Sequence, residues 1–326
     1  MVRHDILQLL AAHPEEYVSG EKISQQLNVT RAAIWKQIKV LKEEGFEIEG
    51  QTKNGYRLLK MSLSLNEWAL KQALTTISLG RTVYLEDELT STNVRAKELA
   101  RQGGVHGLTV LAKYQSVGQG RLQRQWESPR GGLWMSVILR PDLSLADASK
   151  LTLAASVAIV DALEELFQLR IGIKWPNDLV FDGQKLAGIL GEVVGEWNAV
   201  QTLILGMGIN VNFPRERLSS PLSATTLYEI LGHEVDLNLL AATVLKHLEN
   251  QLISLEKKEF EKLRLSWSAR AVGLGEEVRI LQREQVLQGV FKGISIDGAL
   301  ILETKDGEKN FSAGEVQLRS KMGQYF

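Results

Sequence analysis

The chain has 326 residues, 44% of them hydrophobic and 24% charged, the proportions of a soluble globular protein long enough for two or three separately cored domains. It contains no cysteine, which excludes disulfides, thiolate nucleophiles and thiolate metal ligands, and its five histidines are scattered without zinc-ligand spacing. The net charge of −1 provides no global field for nucleic acid, so any such binding must come from a local basic patch.

The opening residues, "MVRHDILQLLAAHPEE", carry neither a long apolar stretch nor a cleavage site, and no later run reaches membrane-spanning length. This predicts a cytoplasmic protein with no membrane partner. Residues 1–60 read as three helices and a hairpin. Ile6, Leu7, Leu9 and Leu10 suit one side of a first helix. Ser19 is placed to cap a second that carries Ile23 and Leu27 inward and ends near Asn28. Thr30 is placed to cap a third, in which Ile34, Ile38 and Leu41 recur at helical spacing until Gly45. Two short alternating runs then flank Asn54-Gly55, a hairpin signal. The pattern is that of a winged helix-turn-helix. Its third helix presents Ala32, Trp35, Lys36 and Lys39 away from the apolar stripe, Arg31 opens it, and Lys53 and Arg57 sit on the wing. With the caps Ser19 and Thr30, these residues form the predicted DNA-reading surface. Nine Lys or Arg stand against eight Asp or Glu in this segment, so the alternative is a protein-interaction module. Clustering of the positive charge on the reading elements favours DNA.

Residues 61–80 read as a connecting segment with a short helix near Glu67–Leu74. From 81 to 270 strands and helices mix: "VYLEDEL" extended, "NVRAKELARQ" helical up to Gly103-Gly104, "LTVLAKY" and "LWMSVIL" buried strands, then a long apolar helix from about Ala148 to Phe167. The Asp182-Gly183 turn joins two strands, and "VQTLILGMGINVN" adds another. Helical patterns return between Thr226 and Leu265. Residues 271–326 break into short strands ("EEVRIL", "VLQGVFKGI", "ALILETKDG", "KNFSAGEVQL"), which suggest a small β-barrel.

Three segments of the central domain stand at strand ends, where ligand sites gather: "GQGRLQRQW", "KWPNDLVFDGQKLAGIL" and "GMGINVN". Neither a P-loop nor a strand-linked G-x-G-x-x-G is present. What remains is a basic glycine-bearing loop, Lys174, Lys185, Asp178 and Asn210, a set suited to an anionic nucleotide and to offsetting charge during attack on a phosphate.

Four segments in order, "TSTN" at 90–93, "YQSVGQGRLQRQW" at 114–126, "KWPNDL" with "KLAGIL" from 174 to 190, and "GMGIN" at 206–210, resemble the bifunctional biotin–protein ligases that double as biotin-operon repressors. The resemblance extends over the whole chain. It implies an α+β protein: an N-terminal winged helix-turn-helix, a central mixed α/β ligase domain of the class II synthetase-like type and a small SH3-like C-terminal barrel. It also implies a two-step reaction with biotin, ATP and Mg²⁺, a lysine of a biotin carboxyl carrier domain as acceptor, operator DNA as partner, and a homodimer on ligand binding.

Carried over residue by residue, the resemblance assigns biotin to Ser91, Thr92, Asn93, Gln115, Gly118, Gln119, Gly120, Arg121 and Lys185. It assigns the nucleotide to Arg121, Arg124, Trp126, Lys174, Asn177 and Asn210, and catalysis to Lys185, Arg121 and Asp178. The chemistry agrees: a ureido ring needs neutral donors and acceptors, and a cation such as Lys185 offsets the repulsion between a carboxylate and a phosphate. Trp126 offers a flat face for adenine, although it also suits a core, and Asn210 suits a turn as well as a nucleotide. Asp178 either orients the carrier lysine or contacts the ligand. The family commonly reads G-R-G-R-x-G-R-x-W in the loop. Here Gln119 replaces the first arginine, and Gln123 replaces a glycine permissive for positive φ. Two rival readings are an adenylate-sensing repressor without transfer and a ligase for a related acyl group such as lipoate. Lys185 argues against the first, and "TSTN" with the DNA-binding domain against the second.

Overall fold

The computed structural model describes residues 2–140, 148–194, 202–282, 285–312 and 316–322. These form two compact units, one reaching to Ala73 and including Asp236–Asn238, the other made of Leu74–Val235 and the chain from Leu239 onward.

The first unit holds helices α1 (Val2–Ala11), α2 (Gly20–Leu27) and α3 (Arg31–Glu43), the hairpin β1 (Glu47–Gln51) and β2 (Gly55–Lys60), and helix α4 (Glu67–Ala73). Ile6, Leu7, Leu10, Ile23, Ile34, Ile38, Leu41 and Phe46 meet in one core, as their helical spacing requires. Ser19 Oγ accepts from the Lys22 N–H at 3.1 Å and Thr30 Oγ1 from the Ala33 N–H at 3.2 Å, so both helices are capped where the sequence placed the caps. The hairpin differs from expectation. Gln51 pairs with Gly55, leaving a three-residue loop with Lys53 at φ 78°, and Asn54-Gly55 is not itself the turn. Gly55 instead opens β2 at φ +109°, where a Cβ would lie 2.1 Å from the Val18 carbonyl oxygen. The glycine is required by that backbone approach as well as by its torsion.

The second unit is built on a seven-stranded sheet. Its strands are β3 (Val83–Glu86), β4 (Thr109–Ala112), β5 (Leu133–Leu139), β6 (Gly172–Lys174), β7 (Asp178–Phe181), β8 (Gln184–Val194) and β9 (Thr202–Ile209), in the order β3-β4-β5-β9-β8-β7-β6. Among the described strand pairs of this sheet, β3–β4 is parallel and the others are antiparallel. Helix α5 (Thr92–Arg101) buries Ala96 and Ala100 against Val110, Ile138 and Ile204. Helix α6 (Ala148–Phe167) packs on β8 and β9, with Leu151, Ala154, Ala155, Ala158 and Ala162 fully buried. Helices α7 (Leu227–Leu231), α8 (Leu237–Glu256) and α9 (Phe260–Ser268) follow.

The C-terminal strands β10 (Glu277–Gln282), β11 (Gln285–Ile294), β12 (Leu300–Thr304), β13 (Gly307–Phe311) and β14 (Val316–Ser320) pair antiparallel in the order β13-β12-β11-β10-β14. Among the described residues β13 and β14 stand at the two ends of this five-stranded order. Residues 313–315 of "KNFSAGEVQL" lie outside the described residues. This sheet is fixed beside the central one. Ile173 N–H donates to the Arg270 carbonyl at 2.8 Å, Val272 N–H to the Ile173 carbonyl at 3.0 Å, and Trp267 meets Phe291 edge-on at 6.4 Å. The junction carries β14 to the mouth of the central cavity.

Candidate active site

The cavity is lined by residues of β6, β7, β8 and β9, the start of α5 and the loop after β4, and one end of it is neutral and polar. Thr92 and Asn93 begin α5, and Gln115 follows β4. The Thr92 N–H donates to Gln115 Oε1 at 2.7 Å, and Gln115 Nε2 donates to Ser128 Oγ at 2.7 Å. Ser136 Oγ lies 2.7 Å from Thr92 Oγ1 and 2.6 Å from Asn93 Oδ1. Asn93 Nδ2 donates to Glu192 Oε2 at 2.8 Å, and Glu192 Oε1 pairs with Lys97 Nζ at 2.6 Å. Gly206 makes room for this network, since a Cβ there would lie 2.2 Å from Asn93 Oδ1. Ser91, Thr92, Asn93 and Gln115 are all buried, so they are rigidly held donors and acceptors suited to a neutral polar ring.

The other end is cationic. The antiparallel strands β6, β7 and β8 bring Lys174, Asp178 and Lys185 together: Lys174 pairs in register with Asp178, and Lys185 Nζ sits 2.6 Å from Asp178 Oδ1. Arg121 donates to Asn177 Oδ1 at 3.2 Å, and Arg124 and Arg319 complete the lining. Five basic side chains thus face one carboxylate, which is a field for phosphates. Burial pushes the Lys174 ammonium down to about 7, the neighbouring Arg319 and Lys185 charges push the same way, and Asp178 opposes them. Burial also lowers Arg121, again against the pull of Asp178.

Trp126 spans the two ends. Its ring lies against Gly188 and Gly208, where Cβ atoms would approach within 3.0 and 2.5 Å, and it meets Trp134 edge-on at 6.4 Å. Lys185 Nζ stands 4.9 Å from the ring centroid. Trp126 is therefore both cavity lining and packed aromatic, and the two sequence readings of it coexist. The remaining cavity encloses about 210 Å³, below the roughly 300–1,000 Å³ of sites that bury drug-sized ligands. In the loop, Leu122 (φ 56°) and Gln123 (φ 58°) are both left-handed. Gln123 thus takes the conformation a glycine would take, with the strain a side chain adds.

Ser91, Thr92, Asn93, Gln115, Gln119, Gly120, Arg121, Arg124, Trp126, Lys174, Asn177, Asp178 and Lys185 all line the cavity. Two predicted residues do not. Gly118 lies behind it, its carbonyl accepting from the Trp126 N–H at 2.8 Å and its Cβ position 2.2 Å from the Trp126 oxygen. Asn210 is buried beneath it, its Nδ2 donating to the Thr225 carbonyl at 3.1 Å and tying down the segment after β9. Ser136, Ser128, Glu192 and Arg319 were missed. A buried serine within the apolar run "LWMSVIL" was the one available signal, because a hydroxyl there needs a partner. Arg319 reaches the site only through the docking of β14.

In the first unit, Ala32, Trp35, Lys36 and Lys39 are exposed on α3, Trp35 by 62%. A groove between α3 and the wing is lined by Arg31, Trp35, Lys39, Lys42 and Lys53. The Ser19 and Thr30 oxygens cap helices, and Arg57 pairs with Glu49 at 2.8 Å while lying over Tyr17. Among the described residues no group of three or more His, Asp or Glu could hold a metal, and no helix is long and apolar enough to cross a membrane.

Comparison with known proteins places these features. Residues 86–210 match the biotin/lipoate A/B protein ligase family, residues 2–57 an HTH domain, and residues 273–319 the biotin protein ligase C terminal domain. The chain is 37% identical over 330 residues to the bifunctional ligase/repressor BirA of Bacillus subtilis, covering 97% of this chain and 98% of that protein. It is 31% identical to BirA of Escherichia coli, covering 94% of each. The structure of biotin protein ligase from Aquifex aeolicus in complex with biotin and ATP superposes with a TM-score of 0.66 at 34% identity, covering 74% of this chain and 100% of that one.

Proposed function

We propose residue roles from one premise: the chain belongs to the bifunctional biotin ligase/repressor family. It is a biotin–protein ligase that forms biotinyl-5′-AMP from biotin and ATP, transfers biotin to a lysine of a carrier domain, and represses transcription through its helix-turn-helix.

Biotin's ureido ring takes the neutral end, among Thr92, Asn93 and Gln115, and its carboxylate points toward Lys185. A carboxylate oxygen attacks the α-phosphorus of ATP, the bond to the β-phosphate bridging oxygen breaks, and pyrophosphate leaves. Lys185 offsets the negative charge gathered between the two reactants. Arg121, Arg124, Lys174 and Arg319 hold phosphate oxygens. Mg²⁺, bound with the triphosphate, would be held by phosphate oxygens and would supply charge neutralisation there; among the described residues no group of three or more His, Asp or Glu would hold it. In the second step the carrier lysine's amine attacks the acyl carbon and AMP leaves. Asp178, already paired with Lys185, keeps that ammonium in place and lies beside the path of the incoming amine. Ligand binding favours a homodimer, and the protein works in the cytoplasm.

The observation that carries this reading is the meeting, in one cavity, of a buried neutral hydrogen-bonding cluster with five cations around Asp178. Incubation with biotin, ATP and a carrier domain, followed by intact mass, tests it: the carrier gains one biotinyl group only when both small molecules are present. A carrier of unchanged mass would refute it.

A further inference from the structure

A continuous hydrogen-bond chain runs from Lys97 through Glu192, Asn93 and Ser136 to Thr92 and Gln115. Its direction is decided at one end. Glu192 carries a carboxylate that only accepts, and the Leu190 carbonyl, 3.4 Å from Asn93 Nδ2, also only accepts. The Asn93 amide must therefore turn its NH₂ toward β8 and its Oδ1 toward Ser136. Oδ1 only accepts, so the single Ser136 proton goes to it, at 2.6 Å. That leaves the Ser136 oxygen as an acceptor for the Thr92 hydroxyl, at 2.7 Å. Thr92 Oγ1 also lies 3.0 Å from Gln115 Oε1; with the Thr92 proton committed to the nearer Ser136 oxygen, both Thr92 lone pairs stay open, and Oε1, which takes the Thr92 N–H at 2.7 Å, keeps one. Thr92 and Gln115 both line the cavity.

We propose that Glu192 is a positioning residue that, without touching the ligand, fixes the hydrogen-bond polarity of the biotin pocket so that Thr92 and Gln115 accept the ureido N–H groups. Reversing the chain would make Ser136 donate to Thr92 and Thr92 donate to Gln115, which fills the second lone pair of Gln115 Oε1 and leaves Thr92 with one of its two. The proposal rests on the reading that biotin's ring occupies this end of the cavity.

The experiment measures pyrophosphate release by the full chain, with biotin and ATP varied separately. Glu192→Gln keeps shape but presents an NH₂ to Asn93 and favours reversal. It is expected to raise the biotin KM about tenfold, the weight of one well-placed hydrogen bond, with kcat and the ATP KM unchanged. Lys97→Met removes the same ion pair and keeps the acceptor, so its biotin KM stays near the parent's. Asn93→Asp added to Glu192→Gln restores an acceptor facing Ser136 and lowers the biotin KM well below that of Glu192→Gln alone. Equal effects of Lys97→Met and Glu192→Gln would overturn the proposal, as would failure of the double variant to recover. If Gln115→Ala raises the biotin KM and Glu192→Gln does not, Glu192 has no such role and the pocket assignment stands. If neither changes it, the assignment itself fails.

Discussion

Lys185 Nζ is held 2.6 Å from Asp178 Oδ1 across the β7–β8 pair and 4.9 Å from the centroid of the Trp126 ring that lines the same cavity. A cation so placed acts most where a carboxylate meets a phosphate. Lys185→Ala is expected to slow biotinyl-adenylate formation by about 10²–10³-fold, the usual loss on removing one preorganised charge-stabilising donor. Rapid-quench measurement of adenylate checks this, and synthesis at the parent rate would remove Lys185 from the mechanism.

Lys174 makes stability and nucleotide binding pH-dependent. Its value falls from 10.5 in the unfolded chain to about 7 in the folded one. Above 10.5 both states are neutral, and below 7 both are protonated. Between these limits the unfolded chain holds the extra proton, so this lysine's contribution to stability rises with pH across that window and is flat outside it. Denaturation midpoints of the parent and Lys174→Met, compared at several pH values, should converge as pH rises. Phosphates beside Lys174 favour its charged form, so ATP binding near pH 8 takes up a proton that Lys174→Met does not. Calorimetry in buffers of different ionisation heat reads the uptake.

Gln123 at φ 58° stores strain that glycine would not. Removing about 1–2 kcal/mol of left-handed strain, against about 0.5–1 kcal/mol of added backbone freedom in the unfolded chain, leaves Gln123→Gly more stable by roughly 0.5–1 kcal/mol without ligand. Urea unfolding measures this, and a destabilised variant would show that the loop does not rest in this conformation. Arg121→Gly is expected to loosen retention of the adenylate more than its synthesis, labelling lysines of bystander proteins.

The sequence made periodic and capped elements plain, because Ile34, Ile38 and Leu41 or Ser19 and Thr30 act through neighbours a few residues away. The motif residues of the cavity were legible for the same local reason: each lies near the end of a strand, at the start of α5 or in a glycine-bearing loop. What stayed hidden depends on distant partners. Arg319 arrives through sheet docking, Glu192 through an amide on another element, and Asn210 turns away because the Thr225 carbonyl offers it a buried partner. Arg57, read as a wing charge, is committed to Glu49 and Tyr17, which no spacing rule reveals.

That difference separates two kinds of DNA-binding variant. Lys36→Ala changes an exposed side chain of α3 and should weaken operator binding with the fold's stability unchanged. Arg57→Ala breaks the ion pair and ring contact on the wing, so stability should fall along with binding. Thermal melts beside a DNA-shift assay distinguish them; equal stability of the two would show that the Arg57 contacts are not structural.

Operator binding should also depend on assembly. Nine basic residues against eight acidic ones in the first 60 leave the helix-turn-helix with a net charge of +1. That is too little positive charge for one copy to hold a duplex tightly, because phosphate contacts supply most of the affinity. Two copies on paired half-sites gain the second contact intramolecularly. The adenylate is expected to be the trigger, acting through the loop that carries Arg121 and Arg124, with the coupling expected to pass through a contact between copies. Sedimentation is expected to show dimers with biotin and ATP together and monomers without them. A parallel DNA-shift assay at fixed salt should follow the same dependence, and Lys36→Ala should lose DNA while forming adenylate at the parent rate. Tight operator binding by a ligand-free monomer would break the link and make the helix-turn-helix a constitutive anchor beside an independent ligase.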